Sequence, residues 1–211
     1  MQFKAVLFDM DGVLVLSEPL HYRAWQEVLG QLPVAADILA ENDIIGHTDR
    51  QIAQKVARRG NTEINEKELF NLKQNSFLNL IKNGLEAVPG RDEFLQYWQE
   101  KAPMAVISSS GRKEIKAVLQ QENIANSFRF FVGFEDTGKH KPDPAPYLHA
   151  MQKMGVKSSD CLILEDSPSG VKAALASGST VVGLNTSNLL DENSGVPFFN
   201  NYYEILEWLQ K

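Results

Sequence analysis

Two carboxylates stand two residues apart in Asp9-Met-Asp11-Gly12, and a second acidic cluster, Glu165-Asp166-Ser167, lies far along the chain. Each follows a short apolar run, Ala5-Val-Leu-Phe8 in one case and Cys161-Leu-Ile-Leu164 in the other. Residues two apart on an extended chain face the same way, so Asp9 and Asp11 are expected together at the carboxyl end of a buried strand. Neighbouring carboxylates repel unless a proton or cation intervenes, which points to a hard divalent metal, magnesium first. The second cluster could supply the remaining carboxylate ligand. Ser108 closes another apolar run and opens Ser108-Ser109-Ser110-Gly111 ahead of a helical pattern. A hydroxyl with free backbone N–H groups at a helix start is an anion site. Lys141, in Gly138-Lys-His-Lys-Pro-Asp143, adds a cation just before another helix start. Taken singly, these are also a strand-to-turn junction, a serine cap and a solvated lysine; their convergence at strand ends is what suggests a site.

The elements that must position them follow from hydrophobic spacing. Strands are expected over Lys4–Asp9, Met104–Ser108, Phe130–Val132, Cys161–Glu165 and Thr180–Leu184. Helical patterns lie between them. Phe94, Leu95 and Trp98 mark one, and Ile115, Val118 and Leu119 mark a second with Ser110 as its N-cap. Asp143-Pro144 opens a third, striped by Tyr147, Leu148, Met151 and Met154 and stopped by Gly155. Ser167-Pro168 opens a fourth, which Gly178 stops. Strands alternating with helices give an α/β fold, a doubly wound, Rossmann-like parallel sheet with helices on both faces. Residues 17–86 break the alternation with helical patterns alone. Leu20, Ala24, Trp25, Val28 and Leu29 form one stripe, Thr48-Asp-Arg-Gln51 is a capping box before Ile52 and Val56, and Leu69, Phe70, Phe77, Leu80 and Ile81 line a third helix. The expected domains are therefore an α/β core, 1–16 with 87–211, and an inserted helical cap, 17–86, of the kind that can serve as a lid.

Composition narrows the function class. The 211 residues carry 21 basic against 27 acidic side chains, a formal charge of −6, with 43% hydrophobic residues. That balance argues against a broad nucleic-acid footprint, so any phosphate handled is expected to be small and locally bound. The single cysteine, Cys161, excludes an intramolecular disulfide and fits a reducing compartment. The amino-terminal stretch lacks a signal-peptide layout, and no apolar run reaches the ~18 residues of a membrane span. The expectation is a cytoplasmic monomer without nucleic-acid or membrane partners.

In their order along the chain, Asp9-x-Asp11-Gly12, the strand ending in Ser108, Lys141 before proline, and Glu165-Asp166-Ser-x-x-Gly170 closely resemble the four motifs of the haloacid dehalogenase superfamily. Phe8-Asp-Met-Asp-Gly-Val-Leu-Val15 and Leu164-Glu-Asp-Ser-Pro-Ser-Gly170 are the most specific stretches. The helical insert resembles the cap of the subgroup that holds beta-phosphoglucomutase and small sugar-phosphate phosphatases. The resemblance implies Asp9 as nucleophile, forming an aspartyl-phosphate, and Asp11 as general acid and then base. It implies Mg2+ on the carboxylates of Asp9 and Asp166 and the backbone carbonyl of Asp11, with Glu165 supporting beside the metal. Ser108, Ser109 and Lys141 would hold the phosphoryl oxygens. The dehalogenase branch lacks the second aspartate of the first motif, so Asp11 implies phosphoryl chemistry on a small phosphorylated metabolite.

Cap residues bear on phosphatase against mutase. His21, in Ser17-Glu-Pro-Leu-His-Tyr-Arg-Ala-Trp25, resembles the mutase hinge segment, and Lys73 either reaches substrate, as the matching mutase lysine does, or snorkels along an apolar face. His47 could contact substrate. Three residues after Gly46, where the mutase pattern has a phosphate-binding arginine, stands Asp49, with Arg50 one place later and turned by about 100° on a helix. An aspartate there would repel a second phosphate, which favours a hydrolase over beta-phosphoglucomutase. A phospho-receiver module, or a catalytically silent binding protein, fits less well, because receivers carry their acceptor aspartate after a later strand.

Overall fold

The computed structural model describes residues 3–32, 38–39, 48–60 and 65–210. They form two compact units, Met1–Leu16 with Glu86–Lys211, and Ser17–Leu85. Among the described residues no helix is long and apolar enough to cross a membrane.

The first unit is an α/β fold around one parallel sheet. Its strands are β1 (Ala5–Phe8), β2 (Met104–Ile107), β3 (Phe130–Val132), β4 (Cys161–Glu165), β5 (Thr180–Leu184) and β6 (Phe198–Phe199), in the order β3-β2-β1-β4-β5-β6. Val6 pairs with Met104 on one side and Leu162 on the other, both in parallel register. Every residue of β1, β2 and β4 is buried, as strands covered on both faces require. On one face Leu7, Ile107 and Ile163 pack with Tyr147 and Met151 of α6 (Ala145–Met154) and Ala173 and Ala174 of α7 (Pro168–Ala176). Phe8 instead meets Phe94 of α4 (Arg91–Gln99) and Phe128 edge-on, and Phe94 meets Tyr202 of α8 (Tyr202–Leu209). The remaining helix of this unit, α5 (Arg112–Gln121), follows β2.

Five expected strands are present, and the structure corrects several boundaries. β1 ends at Phe8, because the Met10 carbonyl accepts from the N–H groups of Val13, Leu14 and Val15 and folds the chain into a turn. The extended geometry assumed for Asp9 through Asp11 therefore stops before Asp11. The N-cap of α5 is Gly111 rather than Ser110, whose hydroxyl is used elsewhere. α6 begins one residue later than Pro144, with the Asp143 carboxylate accepting from Ala145 N–H. Ser167 caps α7 by accepting from Gly170 N–H, and Gly155 ends α6 at φ +70°. The short strand β6 was not expected from the sequence. Cys161 is buried, and burial pushes its thiol up to about 11.

The second unit contains α1 (Glu18–Leu29), α2 (Asp49–Gly60) and α3 (Glu66–Leu80), with no strand among its described residues. Trp25, Val28 and Leu29 of α1 pack with Ile52, Ala53 and Val56 of α2 and Leu69 of α3. The capping box at the start of α2 is formed in both directions: Thr48 N–H donates to the Gln51 side chain at 2.9 Å, and Gln51 N–H to the Thr48 hydroxyl at 3.2 Å. Where the first unit is interrupted, Leu16 N–H donates to the Glu86 carbonyl at 2.8 Å and Val15 bridges Ala87 antiparallel.

Candidate active site

The first unit gathers its acidic residues at the carboxyl ends of β1 and β4, beside the loop after β2. In an open α/β sheet this is where ligands sit, next to the strand at which chain progression reverses. Asp9 continues the β1 ladder by donating its N–H to the Leu164 carbonyl at 3.0 Å, which fixes its backbone against β4. Lys141 arrives from the loop before α6. Its ammonium donates to Asp9 Oδ1 at 2.6 Å, Glu165 Oε1 at 2.6 Å and the Ile107 carbonyl at 2.9 Å, with the side chain only 6% exposed. Three acceptors match the three protons of an ammonium, so this lysine is oriented as well as charged.

Glu165 is fully buried, and its carboxylate also accepts from the Tyr147 hydroxyl and from Ser167. A Cβ at Gly170 would lie 1.9 Å from Glu165 Oε2, so only glycine allows the start of α7 to press against this group. The glycine of the first motif has the same kind of reason: Gly12 sits at φ +72°, and a Cβ there would lie 2.1 Å from Asp166 Oδ2. Thr186 and Ser187, just past β5, hold the backbone of both motifs by donating to the carbonyls of Gly12 at 2.6 Å and Asp166 at 3.0 Å.

Asp9, Glu165 and Asp166 each offer a carboxylate oxygen within 4.8 Å of the others, all three buried. Burial pushes the Asp9 carboxyl well above the usual carboxylate range; Lys141 pulls it back, and the charges of Glu165 and Asp11 push it up again. Burial opposes charge on Lys141 too, but Asp9 and Glu165 outweigh it and hold the ammonium protonated. One ammonium faces four carboxylates if Asp11 and Asp166 are counted. An all-oxygen donor set with excess negative charge, and glycine leaving room beside Asp166, fits a hard divalent cation.

The loop after β2 differs from expectation. Ser110 N–H donates to the Ser108 hydroxyl at 3.0 Å, Gly111 N–H to Glu114 at 3.1 Å, and Arg112 N–H to Glu135 at 3.0 Å. The N–H groups of Ser110, Gly111 and Arg112 are therefore not free as expected at the start of α5, being bonded within the protein. Ser108 and Ser110 instead direct their hydroxyls to Asp11 Oδ2, at 3.4 and 3.0 Å. Ser109 lies between them, half-buried. Sequence reasoning missed Ser110, Tyr147, Thr186 and Ser187 as site residues. Their position just past a strand end was the available signal for Ser110, Thr186 and Ser187, whereas Tyr147 was absorbed into an apolar stripe that it also serves.

The second unit has its own polar cluster. Lys73 on α3 is fully buried; its ammonium lies 2.6 Å from His21 Nδ1 and also donates to Asp49 Oδ2. Trp25 Nε1 donates to the other Asp49 oxygen at 3.0 Å, and the His21 ring stacks on Phe77 at 4.0 Å. Because the lysine is a donor, His21 accepts through Nδ1 and carries its proton on Nε2. Lys73 does not snorkel, which corrects one of its two readings, and Asp49 is paired with it. Arg50 is exposed on α2, and His47 lies outside the described residues.

The family model described as haloacid dehalogenase-like hydrolase matches residues 6–184. The chain is 30% identical over 181 residues to the fructose-1-phosphate phosphatase YqaB of Escherichia coli, covering 86% of this chain and 96% of that protein. It is 26% identical over 188 residues to the beta-phosphoglucomutase of Bacillus subtilis, covering 86% and 83%. In fold it is similar to the crystal structure of CbbY from Rhodobacter sphaeroides in complex with phosphate, with a TM-score of 0.84 at 20% identity and coverage of 97% and 96%. Strand order, motif glycines and acidic strand ends thus agree with a match spanning most of the sequence, and the chain belongs to the haloacid dehalogenase-like hydrolases.

Proposed function

We propose that the protein is a magnesium-dependent phosphatase that hydrolyses a small phosphorylated metabolite, a sugar phosphate, through an aspartyl-phosphate on Asp9. The observation that carries this reading is the buried Asp9 carboxylate, held by Lys141 beside Asp166 at the strand ends. The fructose-1-phosphate phosphatase at 30% identity supports the substrate class. Asp9 attacks phosphorus, forming a P–O bond as the bond to the sugar oxygen breaks. Asp11 gives that oxygen a proton, then takes one from the water that releases inorganic phosphate. Ser108, Ser109 and Lys141 bind the phosphoryl oxygens, and the lysine also keeps Asp9 aligned. The carboxylates of Asp9 and Asp166 and the carbonyl of Asp11 would hold Mg2+, which when bound offsets the repulsion between nucleophile and phosphate. Glu165 already accepts from Lys141, Tyr147 and Ser167, and would support from beside the metal.

The beta-phosphoglucomutase of Bacillus subtilis, at 26% identity, supports a second reading. Against it, Lys73 is compensated by Asp49 within the helical unit, which leaves that lysine poorly disposed toward a second phosphate. The test is incubation with Mg2+, beta-glucose 1-phosphate and trace glucose 1,6-bisphosphate, followed by fructose 1-phosphate and hexitol phosphates. Inorganic phosphate release that stops with a chelator and returns with Mg2+ is the expected result. Glucose 6-phosphate as the main product would replace the phosphatase by the mutase, and formation of neither glucose 6-phosphate nor inorganic phosphate from any ester would defeat both.

A further inference from the structure

Asp11 Oδ2 is approached by two hydroxyls that are not equivalent. Ser108 lies at 3.4 Å, a long and weak contact, whereas Ser110 lies at 3.0 Å. A serine hydroxyl has one proton to donate. If Ser108 turns that proton to a phosphoryl oxygen, it cannot also hold Asp11, and the weaker contact is the one given up.

Ser110 is built to stay. Its N–H donates to the Ser108 hydroxyl at 3.0 Å, and its carbonyl accepts from Phe134 N–H at 3.0 Å, so its backbone is fixed on both sides. Gly133 makes the second bond possible, since a Cβ there would lie 3.2 Å from the Ser110 carbonyl oxygen and 3.0 Å from Ile115. The side chain is buried, which limits competition from water for its proton.

We propose that Ser110 is a positioning residue for the reaction: it holds the Asp11 carboxyl group through Oδ2, so that proton transfer to and from the leaving and attacking oxygens runs through Oδ1. The inference rests on the acid–base role given to Asp11 above. In the first half-reaction the proton on Oδ1 passes to the departing oxygen as the ester P–O bond breaks and the bond to Asp9 forms. In the second, Oδ1 takes a proton from the attacking water as its oxygen bonds to phosphorus and the P–O bond to Asp9 breaks. Ser110 itself exchanges no proton and does not touch phosphate.

The test compares two aryl esters, 4-nitrophenyl phosphate, whose leaving group departs as a stabilised anion, and phenyl phosphate, whose leaving group needs a proton. The parameter kcat/KM reports the first step. Ser110→Ala is expected to lower it about tenfold for phenyl phosphate and less than about threefold for 4-nitrophenyl phosphate. Inhibition by inorganic phosphate should remain within about twofold of the parent, while Ser110→Thr restores most of the loss. Equal losses on both esters, no loss, or weakened phosphate inhibition would each overturn the proposal. A parent protein that cleaves the aryl esters but no sugar phosphate would refute the substrate class while leaving the Ser110 comparison intact. A parent that cleaves neither would remove both.

Discussion

Among the described residues each unit holds a lysine ammonium against carboxylate oxygen, and the two lysines teach different lessons. In the helical unit Lys73 donates to Asp49, with the His21 imidazole beside it and the Phe77 ring beneath it. Such a pair gains more by fixing how three helices meet than by net stability. In the α/β unit Lys141 meets Asp9 and Glu165 together, with Asp11 and Asp166 close by. Charge is in excess. A bound cation would offset such an excess at strand ends, and it is the excess that singles this cluster out as the candidate site.

The comparison can be broken from its catalytic side first. Asp9→Asn is expected to lower phosphate release by about 10⁴-fold or more while its thermal midpoint stays within about 4 °C, read by malachite green assay and calorimetry. Robust turnover in that variant would end the nucleophile assignment. Lys141→Met should cost about 10²- to 10³-fold in kcat/KM, because an oriented charge on the transferring group is removed. From the structural side, Lys73→Met strands a half-buried Asp49 and is expected to cost about 3 kcal/mol in denaturant unfolding. Adding Asp49→Asn should return more than half of that loss, since asparagine still accepts from Trp25; no recovery would mean that the pair is not what holds the helices.

The smallest effect tests a pair at the rim of the α/β unit. Burial raises the Asp136 carboxyl, but the Arg112 guanidinium and Gly133 N–H outweigh it and hold it below the ordinary range. A carboxyl depressed in the folded state contributes stability that is present above its unfolded value, near pH 4, and lost as pH falls through the folded one. Asp136→Asn should therefore lower the melting temperature modestly at pH 7, by an amount that shrinks as the pH is taken down through the folded value. A constant deficit across that range would assign the effect to packing.

How much of this was legible depends on what each residue has to do. The strands were readable because burial on both faces demands unbroken apolar runs such as Met104–Ile107, and five such runs became five strands. Phe198–Phe199 was not, since two residues after a proline carry no periodicity. Thr48 and Gln51 were legible because a capping box is local in sequence. Ser110 was misread for the converse reason: a serine before a helix looks like a cap, and nothing local reveals a carboxylate 99 residues earlier in the chain waiting for its hydroxyl. Lys73 was left open between snorkel and substrate contact because its partner Asp49 lies on another helix, 24 residues away.

The bond between Leu16 and Glu86 has a consequence for the chain's history and for its engineering. Since the α/β unit brings the two ends of its interruption side by side, a short linker could close them at little entropic cost. The helical segment is then a cassette. Its exchange for another would leave the residues that pair β1 with β2 untouched, so grafting is a route to ask what the helical segment contributes.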